Sequence, residues 1–65
     1  MARKIDPGKR EKILQAAREA FRERGVDKTP IPLIAKNAGI AAGTVYLYFK
    51  SKNEIVEGLV DLYYE

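Results

Sequence analysis

Four lysines, Lys28, Lys36, Lys50 and Lys52, stand in a stretch from residue 28 to residue 53 that holds no carboxylate. Shortly before the last two come the hydroxyls of Thr44, Tyr46 and Tyr48. Ammonium groups with no acid between them have the chemistry that holds a polyanion. The same residues also fit a plainly solvated basic surface, and charge does not choose between the two. Charge is uneven along the whole chain. Residues 1–52 carry all twelve Lys and Arg against five carboxylates, a balance of +7. Residues 53–65 carry Glu54, Glu57, Asp61 and Glu65 with no base, a balance of −4, which leaves the net +3.

Catalytic chemistry finds no foothold. The sequence has neither histidine nor cysteine, and it shows no glycine-rich phosphate loop and no nucleophile–base pair at a suggestive spacing. No enzyme, no cofactor and no metal site are expected. With 65 residues the chain forms one domain at most, and so small a domain buries only about 60% of the surface that its unfolded form exposes. Cysteine usage fits a reducing compartment. No apolar run approaches the roughly 20 residues that cross a bilayer. The start, Met1 to Asp6, has basic residues with no apolar segment behind them, unlike a signal peptide. A cytoplasmic protein without membrane attachment is the expectation.

The elements that must position these groups are readable from caps, breakers and periodicity. Asp6-Pro7 opens a first helix, since aspartate caps well and proline suits the first helical position. Ile13, Leu14, Ala17, Ala20 and Phe21 then form one apolar face, and Gly25 stops the helix after about 16–18 residues. Thr29-Pro30 repeats the cap-plus-proline signal before a short second helix. Its face is Ile31, Ile34, Ala35 and Ala38, with Pro32 tolerated in the first turn and Gly39 as the end.

Residues 40–49 are a poor helix by propensity, with Gly43 and several β-branched or aromatic residues. A strand is the local rival. A short third helix is favoured because a lone strand has nothing to pair with. Ser51 and Glu54 form a capping-box arrangement ahead of Ile55, Val56, Leu59, Val60, Leu62, Tyr63 and Tyr64. That fourth helix is apolar over more than one stripe. It reads as the start of a helix whose continuation would bury Leu62, Tyr63 or Tyr64, with residues 1–52 the domain proper and 53–65 the lead into that continuation.

The unit from Ile34 to Val45 has the layout of a helix-turn-helix, two helices joined by a few residues with a glycine at the bend. Ala35 is small enough for close crossing, Gly39 can take a left-handed conformation, and Val45 can turn inward to lock the pair. A generic helical hairpin has the same layout.

A longer pattern narrows this. Ala16-Ala17-x-x-x-Phe21-x-x-x-Gly25, Thr29, Ile34-Ala35-x-x-Ala38-Gly39-Ile40 and Gly43-Thr44-Val45-Tyr46-x-Tyr48-Phe49-x-Ser51-Lys52-x-Glu54 together resemble the signature of TetR-type repressors. The resemblance covers residues 9–60. It implies an all-α, three-helix, homeodomain-like helix-turn-helix domain plus the start of a fourth helix, with the third helix entering the major groove of double-stranded DNA. It implies a regulator, a repressor in the usual case, that binds a near-palindromic operator as a homodimer. It implies that residues 53–65 lead into a dimerisation and ligand-binding domain absent from this chain, where a small-molecule effector would bind and release the operator.

The resemblance also implies roles. Thr44 matches the third-helix threonine that reaches DNA, and Tyr46 the tyrosine that bonds a phosphate. Tyr48 sits where His or Tyr often faces the backbone. Lys52 matches the lysine that, with the start of the fourth helix, attracts a phosphate. The expected DNA-contact set is Thr29, Ala41, Ala42, Gly43, Thr44, Tyr46, Leu47, Tyr48, Lys50 and Lys52, while Phe21, Ile34 and Phe49 look like core. The chain departs from the family at two points. Ala41 stands where Ser or Thr usually caps the third helix, and Pro32 where a polar side chain sometimes reaches a base. The exposed candidates on the third helix include no Arg, Lys, Asn or Gln able to make a bidentate base contact. Thymine-methyl contacts by Ala42, Thr44 or Leu47 and DNA shape are the expected substitutes, with Lys and Tyr setting affinity through phosphates.

Arg3 and Lys4 are read as a solvated end rather than a DNA-reaching arm. The rival function is a small helical module docking a protein partner through Leu59, Leu62, Tyr63 and Tyr64. A membrane-surface role fits poorly, because the most apolar helix carries the acids.

Overall fold

A computed structural model of the chain describes residues 6–64. These form four helices, α1 (Pro7–Arg24), α2 (Ile31–Ala38), α3 (Ala42–Tyr48) and α4 (Lys52–Tyr63), with no strand among the described residues. Arg3 and Lys4, read above as a solvated end, lie outside the described residues.

α1 is the spine, packing against both α2 and α4, while α3 packs against α2. Asp6 caps it, accepting a hydrogen bond from the Gly8 N–H at 2.9 Å, and Pro7 occupies the first position. The apolar periodicity translates directly into burial. Ile13, Leu14, Ala17 and Ala20 are buried, and Phe21 packs half-buried against the same cluster.

α2 begins one residue later than the cap-plus-proline pattern suggests. Pro30 is its N-cap, with Ile31 and Pro32 in the first turn. Thr29 makes no cap: its side chain is fully buried, and its hydroxyl donates to the Gly25 carbonyl at 2.7 Å and, at 3.4 Å, to that of Ala20. Thr29 thus ties the loop back onto the last turn of α1 and its C-cap instead of serving α2.

The bend is built as the residue types require. Gly39 has φ 72° and ψ 31°, the left-handed region that side chains resist. The Ile40 N–H then reaches back to the Ala35 carbonyl at 2.9 Å, the long return bond of a Schellman ending. Ile40 packs half-buried on the core as that ending predicts. α3 follows as a helix, not a strand, although Ala41 gives its first turn no side-chain cap. Tertiary packing overrides propensity here, because Val45 and Phe49 are buried in the shared core.

α4 starts at Ser51, whose hydroxyl accepts from the Glu54 N–H at 3.4 Å. The return arm of the capping box lands one residue early, since Glu54 Oε1 accepts from the Lys50 N–H at 2.8 Å. Ile55 and Leu59 enter the same core as Ile13, Leu14, Ile34 and Val45. Each such side chain, once buried, stabilises the fold by roughly 1.5–3 kcal/mol.

Candidate nucleic-acid interface

α3 has an inner and an outer side, and its short sequence divides cleanly between them. Val45 (0% exposed) and Phe49 (3%) point into the core. Gly43, Tyr46 and Leu47 follow the i, i+3, i+4 spacing of one helical face and are exposed, as is Lys50 just past the end of the helix. Tyr46 is 43% exposed and Leu47 54%. Ala41 is exposed at the head of the helix, while Ala42 and Thr44 are half-buried at the edges of the face. Lys50 Nζ lies 3.4 Å from the Tyr46 carbonyl, so its ammonium stays beside the phenol-bearing turn.

Three expected DNA contacts are placed elsewhere. The Thr29 side chain is sealed inside the fold, with its hydroxyl spent on two carbonyls, and it presents nothing to a ligand. Tyr48 is half-buried and turns toward α1, where its phenol oxygen accepts from the Asp6 N–H at 2.9 Å. Lys52 is half-buried, and Nζ donates to the Val26 carbonyl at 2.9 Å, tying the start of α4 to the loop after α1. The phosphate expected at the head of α4 meets a rival as well, because the Glu54 carboxylate already bonds backbone there.

Among the described residues a single ion pair forms, Glu19–Arg22 at 3.8 Å, and both of its side chains are exposed. Such a pair contributes little. Among the described residues, no carboxylate pairs with Lys28, Lys36, Lys50 or Lys52.

Some positioning residues escaped sequence reasoning. Arg10 sits 5.3 Å over the Phe49 ring and Arg18 sits 4.5 Å over that of Tyr63, two cation–π contacts that lace α1 to the elements beneath it. Gly58 is buried where α4 crosses α1. A Cβ there would lie 3.1 Å from Leu14 Cδ2 and 3.2 Å from Phe49 Cε1. A glycine inside an otherwise apolar helix was the available signal. The cation–π pairs left no comparable mark.

A second surface lies between α1 and α4. A groove of about 410 Å³ is lined by Arg18, Phe21, Arg22, Val26, Val56, Leu59, Val60 and Tyr64, and Tyr64 is 72% exposed. Among the described residues no helix is long and apolar enough to cross a membrane.

A three-helix core with a glycine bend and an outward, acid-free third helix defines a helix-turn-helix protein. The model of bacterial regulatory proteins of the tetR family matches residues 13–59, and the chain belongs to that family. Among its relatives, the chain is 54% identical over 54 residues to an uncharacterized HTH-type transcriptional regulator, YvdT, of Bacillus subtilis (strain 168), covering 83% of this chain and 28% of that protein. It is 41% identical over 56 residues to the HTH-type transcriptional regulator TtgR of Pseudomonas putida, covering 86% of this chain and 27% of that one. It is 43% identical over 49 residues to the HTH-type transcriptional repressor KstR2 of Mycolicibacterium smegmatis, covering 75% of this chain and 24% of that one. The chain therefore spans about a quarter of the length of these relatives. No solved structure matches it.

Proposed function

We propose that this chain is the operator-reading domain of a cytoplasmic transcriptional regulator, a repressor in its usual action. α3 lies in the major groove, where Gly43, Thr44 and Leu47 meet base edges with Ala41 and Ala42 alongside. Tyr46 and Lys50 hold the flanking phosphates. Tyr48 and Lys52 act one step back, fixing α3 and the head of α4 against α1. Two copies place their α3 helices in successive major grooves about 34 Å apart on a near-palindromic site. A small-molecule effector bound by a region outside this chain changes that separation and releases DNA.

What carries the reading is the outer face of α3, exposed and free of acid while its inner face is locked into the core. The family membership and the regulators among its relatives support it further. The apolar groove between α1 and α4 favours a second reading, in which that surface docks protein rather than DNA.

Titration of the chain with mixed-sequence duplex DNA, followed by NMR at low and moderate salt, separates the two. Salt-sensitive shifts at Thr44, Tyr46, Leu47 and Lys50 are expected, because phosphate contacts release counterions. Shifts confined to Leu59–Tyr64, indifferent to salt, would move the function to the groove.

A further inference from the structure

Gly43 is the unexplained residue of the outer face. It is exposed, its φ is not positive, and a Cβ built on it meets nothing within 4 Å. Neither backbone conformation nor packing within the fold calls for glycine there. The residue also works against the helix, which has no side-chain cap and gains nothing from a glycine in its first turn. One turn on, at i+4, stands Leu47, 54% exposed. The face thus offers a bare stretch of backbone beside a projecting isobutyl group. Between residues 41 and 48 the only side-chain hydrogen-bonding groups are the hydroxyls of Thr44, Tyr46 and Tyr48, and the Tyr48 oxygen is already engaged by Asp6.

Resting on the reading of α3 as the DNA-reading helix, we propose that Gly43 and Leu47 form a notch and a knob that read thymine by its 5-methyl group. Gly43 is bare so that a base edge can come up against the helix backbone, and Leu47 covers the methyl and excludes water from it. The methyl is the one apolar mark that the major groove displays, and it sets T·A apart from the other pairs. The operator class that follows is a half-site with at least one thymine opposite the Gly43–Leu47 turn. Its recognition depends on that methyl more than on base hydrogen bonds.

The test selects binding sites for the full chain from a random duplex library synthesised once with thymine and once with uracil, which differ only by this methyl. A motif with a fixed thymine is expected from the first library, with no such position from the second. Replacing that thymine by uracil in the selected duplex weakens binding about fourfold for each methyl buried, at about 0.8 kcal/mol per carbon and 1.4 kcal/mol per tenfold. Leu47→Ala loses the thymine preference while keeping salt-sensitive binding to unselected DNA. Gly43→Ala moves stability and affinity in opposite directions. It raises the melting temperature by roughly 2–8 °C, since alanine restricts the unfolded chain, and it lowers affinity for the selected site. The same motif from both libraries, or a Gly43→Ala protein that binds as well as the original, overturns the proposal and leaves DNA binding by α3 standing. Failure to enrich any site from either library overturns both.

Discussion

The phenol oxygen of Tyr48, the last residue of α3, accepts a hydrogen bond from the backbone N–H of Asp6, the N-cap of α1, at 2.9 Å. Forty-two positions separate the two residues, so one bond fixes the far end of the reading helix to the near end of the spine. α3 has only seven residues and no side-chain cap at its start. Short helices draw their stability from tertiary packing rather than propensity, which gives this anchor leverage.

Tyr48→Phe is therefore expected to loosen both ends it joins. The ring still packs, but the Asp6 N–H loses its partner. Amide exchange at Asp6 and Gly8 should speed up, and affinity for DNA should fall with little change in its salt dependence. A change in salt slope of about one for each bound copy would instead make Tyr48 a phosphate contact.

Lys50 and Lys52 should part company in the same measurement. Lys50 is exposed beside Tyr46, whereas the Lys52 ammonium is held by the Val26 carbonyl. Lys50→Met is expected to reduce the salt slope of DNA binding by about one per copy. Lys52→Met should leave the slope alone and lower thermal stability, because the α1–α2 loop loses its tie to α4. Equal slope changes for both lysines would contradict this division.

Thr29 allows a sharper trial of a buried role. Its hydroxyl serves two carbonyls in a fully buried site. Thr29→Val keeps the shape but removes the hydroxyl from both carbonyls, leaving that of Gly25 with only the bond from the Lys28 N–H at 3.3 Å, an expected loss of about 1–3 kcal/mol. Thr29→Ser keeps the hydrogen bonds and gives up a methyl, costing about 1 kcal/mol. Chemical denaturation orders the two variants, and Val milder than Ser would remove the hydroxyl from its role. Per folded molecule, neither variant should alter DNA affinity.

Ala41→Ser tests the missing cap. The backbone of Ala41 is already extended, as an N-cap requires, and a serine oxygen there can accept from the first turn of α3. A gain of about 0.5–2 kcal/mol is expected, which raises the melting temperature by roughly 4–8 °C for each kcal/mol in a domain of this size. An unchanged melting temperature would mean that water already serves those amides.

How much of this was readable from the sequence follows the range of the interactions. Helices with strong periodicity and glycine ends, such as α1 and α2, were readable because each signal lies within one turn of its effect. The inward turn of Val45 and the bend at Gly39 followed for the same reason. Thr29 misled because Thr-Pro is a good local cap signal, and only the carbonyls at the end of α1, placed by the fold, gave its hydroxyl a better use. Tyr48 and Lys52 carried no mark of their partners at Asp6 and Val26, since those contacts exist only once α3 and α4 have docked on α1. Leu47 stood out on composition alone. Gly43 became informative only when the structure showed that nothing in the fold needs it bare.

Gly58 is the position where two effects of opposite sign can be weighed. Alanine in a helix interior is favoured over glycine by about 0.8–1.0 kcal/mol. Against that, the new methyl would press on Leu14 and Phe49 at 3.1 and 3.2 Å, with the Arg10 guanidinium at 3.3 Å. Leu14 and Phe49 are themselves buried, so neither can yield without disturbing the core. Overpacking of this kind costs typically 1–3 kcal/mol. The clash is thus expected to win, making Gly58→Ala destabilising on balance and Gly58→Val more so. Because α4 would be pushed away from α1, the Arg10–Phe49 and Arg18–Tyr63 stacks should loosen too, visible as smaller ring-current shifts on the arginine side chains. A stabilised Gly58→Ala with unchanged shifts would show that α1 and α4 are not held at their closest approach.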